Sequence, residues 1–235
     1  MKRKFQHIAY LLMVAAVLTS CGEKKQTSEF PDWAWADFQR PEGINPIVSP
    51  DTTTVFYCPM RQDSVAWESS DTFNPAATIY DGKVVVLYRA EDNSAVGIGS
   101  RTSRLGYAYS DDGLHFNRMT VPVFYPADDN QKELEWPGGC EDPRVAVTDD
   151  GLYVMLYTQW NRKQARLAVA TSRDLQIWEK YGPAFAKAYG GRFFDEFSKS
   201  ASIVTKLVDG KQVIAKIDGK YWMYWGEKFV NVATS

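Results

Sequence analysis

Carboxylic acids are the side chains of this sequence best suited to chemistry, because only two histidines occur, His7 and His115. Histidine-rich zinc sites and Ser-His-Asp triads therefore have too few residues to form. The carboxylic acids of interest are Asp142 in GGCEDPRVA, Glu196 in FFDEFSKS and Glu227 in YWGE. If the protein is an enzyme, carboxyl groups must carry out its proton transfers.

The chain repeats its own pattern three times, and the repeats predict the elements that position those acids. Alternating small residues precede a serine in LGYAYSDDGLHF, ARLAVATSRDLQIW and VNVATS, and the serines Ser110, Ser172 and Ser235 lie 62 and 63 residues apart. A second set of runs recurs once in each of the same units: DGKVVVLYRAED, DGLYVMLYTQWN and DGKYWMYWGE. Asp-Gly turns beside β-branched and aromatic runs are typical of β-hairpins, and helical periodicity is nearly absent.

Strands repeated at this interval predict an all-β fold built as a β-propeller, with a β-sandwich as the alternative. Residues 71–235 hold two full units and most of a third. A closed propeller needs at least four blades, so the sequence predicts roughly the first three blades of a longer protein. Residues 22–70 are predicted to be a tether and an N-terminal segment that precede the propeller.

The first strand of each propeller blade lines a central funnel, and ligands bind where these strands converge. TFNPAA, GGCEDPRVA and FSKSASI open successive units, so we expect them to form these inner strands. The arrangement sets Asn74, Asp142 and Lys199 around one axis. Pro75 and Pro143 lack a backbone donor, which suits a strand start or a bulge.

These motifs together resemble glycoside hydrolase family 130. The resemblance runs from about Asp71 to the C-terminus and rests on SDTFNPAA, LYRAED, SRLGYAYSDDGLHF, GGCEDPRV, RLAVATSRDLQIWEKYGP, KSAS and DGKYWMYWGE. It implies a five-bladed β-propeller that cleaves β-mannosides with inversion, either by hydrolysis or by phosphorolysis. It also implies that Asp142 is the general acid. Inorganic phosphate would be the co-substrate of a phosphorylase, and no other cofactor is expected.

The resemblance further implies which side chains hold the sugar. In hydrolytic members a second carboxylate activates water, and Glu196 and Glu227 are the candidates. The mannose would be held by Asn74, Arg89, Glu91 or Asp92, and Arg104. Arg144 and Lys199 are further candidate substrate-binding residues. Lys199 could serve a sugar hydroxyl, a phosphate or Glu196.

Inverting hydrolysis accounts for these residue types. It needs one protonated carboxyl for the leaving oxygen and one carboxylate for water, held roughly 6.5 to 9.5 Å apart. Neighbouring inner strands can supply the pair as Asp142 with Glu196 or Glu227. Each acid also has a purely structural alternative: an ion pair of Asp142 with Arg144, surface exposure of Glu196, or a strand-edge charge at Glu227.

Aromatic residues and overall charge indicate the kind of ligand. Trp136 and Trp160 are predicted at the funnel rim, where an indole can stack on a sugar, although packing between blades is an equal alternative. The formal net charge of −2 disfavours nucleic-acid binding. SDDG at residues 110–113 lacks the rest of a calcium loop, and no glycine-rich nucleotide motif occurs. We therefore expect a mannose-containing oligosaccharide as ligand and no metal.

Residues 1–21 are predicted to be a signal peptide, with basic MKRK before an apolar run over residues 8–18. LTSC resembles a lipobox, so Cys21 would be acylated and the exported protein anchored to a bacterial membrane; an ordinary secretory leader is the alternative. Cys58 and Cys140 remain in the mature chain, and the sequence does not show whether they pair. The position of Cys140 beside Asp142 favours a free buried thiol.

Several functions stay open at this point. Export favours hydrolysis, with β-1,2-mannooligosaccharides as the expected substrate, because a sugar phosphate is best retained in the cytoplasm. The alternatives are a phosphorylase of β-1,4-mannooligosaccharides or mannosylglucose, a glycan-binding lipoprotein without activity, and an inactive fragment with open sheet edges.

Overall fold

The computed structural model describes residues 39–235 of the chain. Residues 42–235 form one compact unit, and most of its regular structure is strand, which confirms the predicted all-β class. The number of blades stays a prediction. The predicted signal peptide, with Cys21, and the tether up to residue 38 lie outside the described residues. Within residues 39–235, no helix is long and apolar enough to cross a membrane.

Three groups of antiparallel strands, here called sheets 1 to 3, follow one another along the chain, and a parallel pairing joins sheet 1 to sheet 2. The N-terminal segment, residues 42–70, holds a small hairpin of β1 (Phe56–Cys58) and β2 (Asp63–Val65). Sheet 1 consists of β3 (Asp71–Tyr80), β4 (Lys83–Glu91), β5 (Ser103–Ser110) and β6 (Asn117–Arg118). After the short helix α1 (Lys132–Glu135), sheet 2 consists of β7 (Gly139–Val147), β8 (Tyr153–Trp160), β9 (Ala165–Ser172) and β10 (Glu179–Pro183).

Sheet 3 departs from the predicted repeat through an inserted hairpin. A turn over Ala188–Gly191 precedes β11 (Lys199–Ile203). The hairpin is formed by β12 (Thr205–Val208) and β13 (Lys211–Ile214), and β13 pairs in parallel with β7 of sheet 2. The sheet then continues with β14 (Lys216–Ile217), β15 (Lys220–Gly226) and β16 (Val230–Thr234). Both β11 and β14 pair with β15, so the hairpin interrupts the first strand of the sheet. Its turn is Asp209-Gly210, an Asp-Gly pair that precedes Asp218-Gly219 of the predicted repeat.

The recurring serine and aspartate motif forms the same turn in sheets 1 and 2. Ser110 Oγ accepts the backbone N–H of Asp112 over 3.2 Å, and Asp112 Oδ1 accepts that of His115 over 2.8 Å. Ser172 and Asp174 repeat both bonds in sheet 2. Because these side chains satisfy backbone donors, the motif fixes the turn after the third strand of each sheet. This shared turn confirms the predicted repeat between sheets 1 and 2.

The sheets pack face to face, and β4 is buried on both of its faces. Val85 and Leu87 belong to the cluster between sheets 1 and 2, whereas Val86 and Tyr88 pack against the N-terminal segment. Alternate strand residues face opposite sides, so two buried faces explain the continuous apolar run VVVLY. A third cluster joins sheets 2 and 3.

The N-terminal segment and both cysteines belong to this packed interior. Trp67 is fully buried and donates its indole N–H to the carbonyl of Thr120 over 3.0 Å. The segment therefore covers the outer face of sheet 1. Cys58 and Cys140 are both buried and free.

Candidate active site

The first strands of the three sheets share one irregularity. In β3, β7 and β11, one extra residue interrupts the pairing with β4, β8 and β15, respectively. Asn74, Asp142 and Ser200 lie at the interruptions, with φ of 45°, 51° and 52°. This left-handed conformation costs a non-glycine residue about 1 to 2 kcal/mol. Bulges next to functional sites re-aim side chains, and two predicted site residues lie at these positions.

Asp142 lies where sheets 1 and 2 meet, and sheet 1 holds its carboxylate. Asn74 Nδ2 donates to Asp142 Oδ1 over 2.9 Å, and Arg89 Nη1 donates to the same oxygen over 3.1 Å. Within residues 39–235, no hydrogen bond reaches Oδ2, and the side chain is 12% exposed. The structure therefore brings together Asn74, Arg89 and Asp142, as predicted, and leaves one carboxylate oxygen available to a ligand.

Arg89 is fixed on all sides of its guanidinium. Nε donates to Ser103 Oγ over 3.0 Å, and Nη2 donates to Glu91 over 2.6 Å and to Glu141 over 2.9 Å. The ring of Phe73 lies 4.6 Å from the guanidinium carbon. A buried arginine with this many partners is a rigid hydrogen-bond donor. Ser103 was missed by the sequence analysis, although it opens the predicted strand SRLGYAYS.

Glu141 connects sheet 2 to sheet 3. Lys199 Nζ lies 3.3 Å from Glu141 Oε2, while Glu141 Oε1 accepts from Arg89. Burial raises the pKa of Glu141, although the charges of Arg89 and Lys199 oppose that rise. Lys199 therefore joins the group of residues around Asp142, as predicted, and does so through a glutamate to which the sequence analysis gave no binding role.

Glu91 ends β4 and Asp92 directly follows it, and the two acids have different partners. Glu91 lies 3.4 Å from Arg101 in addition to its contact with the guanidinium described above. Asp92 pairs with Arg104 over 2.8 Å, and both side chains are 1% exposed. Burial opposes ionisation of Asp92, but the charge of Arg104 and hydrogen bonds from Ser94 outweigh it and keep the pKa of Asp92 below its ordinary value. This pair supports the loop between β4 and β5.

The remaining polar candidates have no direct contact with Asp142. Glu196 and Glu227 are exposed, and no hydrogen bond or ion pair in the described part of the chain joins either one to Asp142. Glu227 directly follows the end of β15 that pairs with Lys199. Arg144 is exposed and donates to the neighbouring backbone carbonyl over 2.8 Å. The alternative ion pair of Asp142 with Arg144 therefore does not form.

The two predicted rim tryptophans have different surroundings. Trp136 packs against the cluster between the N-terminal segment and sheet 1. Trp160 donates its indole N–H to the carbonyl of Gly99 over 2.7 Å, and its ring meets Phe197 edge-on with centroids 6.4 Å apart. Gly99 precedes β5 and Phe197 precedes β11. Trp160 therefore lies where segments belonging to all three sheets meet.

Ion pairs link the acids around Asp142 to cations. The network that they form, here called the site cluster, contains four carboxylates and three cations among the described residues: Asp71, Glu91, Glu141, Asp142, Arg89, Arg101 and Lys199. Among residues 39–235, no group of three or more His, Cys, Asp or Glu is arranged to hold a metal ion. The carboxyl groups and cations of the site cluster offer hydrogen bonds and groups for proton transfer.

Comparisons with known proteins agree with the motifs. The model of glycoside hydrolase family 130, described as beta-1,4-mannooligosaccharide phosphorylase, matches residues 39–234. A 1,2-beta-oligomannan phosphorylase of Thermoanaerobacter sp. (strain X514) is 36% identical over 152 residues, which are 63% of this chain and 46% of the relative.

Two solved structures share more of the sequence. A glycosyl hydrolase from Bacteroides ovatus is 68% identical with a TM-score of 0.85, covering 88% of this chain and 57% of that one. Another is 69% identical with the same TM-score and coverage, and was reported with the finding that the GH130 family of mannoside phosphorylases contains glycoside hydrolases that target beta-1,2 mannosidic linkages in Candida mannan. The chain spans about half the length of these relatives. Because the family model matches most of the chain, the protein belongs to glycoside hydrolase family 130.

Proposed function

We propose that this chain carries the sugar-binding residues and the general acid of an enzyme that hydrolyses β-linked mannosides with inversion. The observation that carries the proposal is the carboxylate of Asp142, held on one oxygen by Asn74 and Arg89. Its other oxygen is available to protonate the glycosidic oxygen through a hydroxyl of the bound mannose. A fixed acid within hydrogen-bond reach is what general acid catalysis requires.

A second carboxylate from sheet 3 activates the water in this proposal. Glu196 and Glu227 lie three residues before β11 and directly after β15, near the strand ends that carry Lys199. Both are exposed, so either can hold a water molecule. An inverting pair is separated by roughly 6.5 to 9.5 Å, which agrees with the lack of a direct contact with Asp142.

The charges of the site cluster support hydrolysis over phosphorolysis. With Asp142 protonated, as a general acid must be, the other three carboxylates and the three cations give a net charge of zero when ionised. Each cation already lies beside a carboxylate, so a phosphate dianion that binds one of them must lie close to that carboxylate. Such like-charge proximity is unfavourable. A neutral sugar and a water molecule meet no such repulsion.

We assign β-1,2-linked mannosides as the substrate class. The support is the name of the oligomannan phosphorylase and the reported β-1,2 specificity that accompanies the 69% identical structure. Phosphorolysis is the second candidate, because the curated relative and the family description are both phosphorylases. Lys199, at the edge of the site cluster, is the cation best placed to meet phosphate in that case.

Product analysis tests both candidates. The full chain is incubated with β-1,2- and β-1,4-mannobiose, with and without inorganic phosphate, and the products are followed by NMR. Inverting hydrolysis releases α-mannose without phosphate, whereas strict dependence on phosphate and formation of mannose 1-phosphate would contradict hydrolysis. Tight binding in calorimetry without turnover would support a glycan-binding protein instead.

The role of Asp142 is tested by Asp142→Asn. We expect a rate loss of at least about 100-fold, the scale of general acid catalysis. The matched control is Asp149→Asn, because Asp149 is highly exposed and remote from the site cluster. Near-normal turnover by Asp142→Asn would refute the acid role.

We also propose that Cys21 anchors the exported protein to a membrane, with support from the lipobox-like LTSC after the apolar run. Expression in a bacterial host with fractionation tests this. The wild type should stay with the membrane and Cys21→Ser should not be acylated. Absence of a lipid on Cys21 in mass spectrometry contradicts the proposal.

A further inference from the structure

We infer that Ser200 is a further sugar-binding side chain of this site, an inference that rests on the proposed function. The sequence motifs do not predict a role for Ser200: in KSAS, the neighbouring Lys199 is the predicted binding residue. Three observations carry the inference: the position of Ser200 in its strand, the conformation of its backbone and its place beside the site cluster.

Ser200 occupies on β11 the position that Asp142 occupies on β7. On β7, pairing is interrupted between Glu141 and Arg144, and on β11 it is interrupted between Lys199 and Ser202. Ser200, like Asp142, is the first residue of its interruption. Asn74 has the same relation to its own strand, β3. The repeat therefore gives the three side chains equivalent positions in successive sheets.

The backbone of Ser200 is held in a conformation that glycine would adopt more easily. Its φ of 52° matches the 45° of Asn74 and the 51° of Asp142. Asparagine and aspartate are several-fold enriched in this region, whereas serine has no such preference. Strain of this kind is retained where a side chain is needed, since glycine at the same position removes it.

Contacts made by the residues next to it place Ser200 beside the site cluster. Lys199, which precedes Ser200, contacts Glu141, which precedes Asp142. Asn74 and Asp142 contact each other directly across sheets 1 and 2. Ser200 is exposed, and its hydroxyl has no hydrogen-bond partner within residues 39–235. An unpartnered hydroxyl at this position can both donate to and accept from a sugar hydroxyl.

The test separates binding from stability by comparing two serines of β11. Ser200→Gly removes the hydroxyl and relieves the backbone, so we expect an unchanged Tm or a rise of up to about 4 °C. Affinity for β-1,2-mannobiose in calorimetry should fall about 3- to 10-fold, the effect of one lost hydrogen bond. Ser200→Asn keeps a polar side chain suited to the left-handed conformation and should retain more affinity than Ser200→Gly.

Ser202→Gly is the matched control, because Ser202 is also exposed and pairs regularly with β15. It should lower Tm by about 2 °C, as glycine does within a strand, and leave affinity unchanged. Equal affinity of Ser200→Gly and wild type overturns the role of Ser200 while leaving the proposed function intact. Failure of the wild type to bind any mannoside overturns both.

Discussion

The backbone of Gly139 lies directly against that of Ser103: a β-carbon on Gly139 would be 2.2 Å from the Ser103 carbonyl oxygen. The two residues pair in parallel where sheets 1 and 2 meet. Ser103 also accepts a hydrogen bond from Arg89, and Asp142 lies three residues after Gly139. This close backbone contact therefore sets the distance between the guanidinium of Arg89 and the carboxylate of Asp142.

Gly139→Ala tests that close approach. The φ of 119° at Gly139 already disfavours a side chain, and the new methyl group would collide with backbone that cannot rotate away. We expect a loss of about 2 to 4 kcal/mol in the free energy of unfolding, from backbone strain and overpacking together. Gly151→Ala is the control: its φ is 83°, but no atom lies within 4 Å, so strain alone should cost about 1 kcal/mol. Equal losses in urea titrations would contradict the role of the contact.

Arg89→Lys should impair both stability and activity. A lysine cannot reach Glu91, Glu141 and Asp142 together, so it leaves a buried carboxylate without its partner. We expect a loss of about 3 kcal/mol in the free energy of unfolding and at least about a tenfold loss of kcat/KM.

Arg144→Lys is the matched control for that substitution. The side chain is exposed and makes no ion pair in the described part of the chain, so its effect on stability should stay within about 0.5 kcal/mol. If both variants melt at the wild-type temperature, the buried network around Arg89 does not stabilise the fold.

Trp160→Phe should loosen the loop between β4 and β5. The substitution keeps an aromatic ring but removes the N–H that donates to Gly99, a hydrogen bond worth about 1 kcal/mol. Amide hydrogen exchange of residues 93–101 should therefore become about fivefold faster, while that of β8 is unchanged. Trp178→Phe is the control, because the Trp178 indole bonds to the carbonyl of Leu175. Unchanged loop exchange in Trp160→Phe would show that the indole does not hold the loop.

Alkaline pH should destabilise the fold partly through Tyr107. Burial, followed by the nearby Tyr80 and Tyr109, raises the pKa of Tyr107 to about 12 from an ordinary value of 10.0. The stabilising contribution is fully present below the ordinary pKa and is lost as pH rises from about 10 through about 12, because the unfolded chain loses this proton first. Tyr107→Phe should flatten the fall of Tm above about pH 9. The exposed Tyr181, changed to Phe, should leave the slope as in wild type, and an equal slope in both variants would exclude Tyr107 as a cause.

The sequence was sufficient to predict the sheets because their turns recur in phase. Asp142 and Asn74 could be placed together because both open a repeat. The links to Ser103 and Glu141 could not be predicted, since each depends on which strands of different sheets approach each other. Lys199 contacts Glu141 across 58 residues of chain, and local sequence carries no signal of that contact. Residue type alone likewise could not predict that the Asp92 and Arg104 pair is buried.

The bulge in β7 gives this strand two independent alternations. Cys140 and Val145 face the same hydrophobic cluster although an odd number of positions separates them. In an uninterrupted strand they would face opposite sides. Asp142 lies at the interruption itself and therefore follows neither alternation. The strand can thus carry a site residue in its middle while the side chains on both sides of the bulge fill the hydrophobic interior.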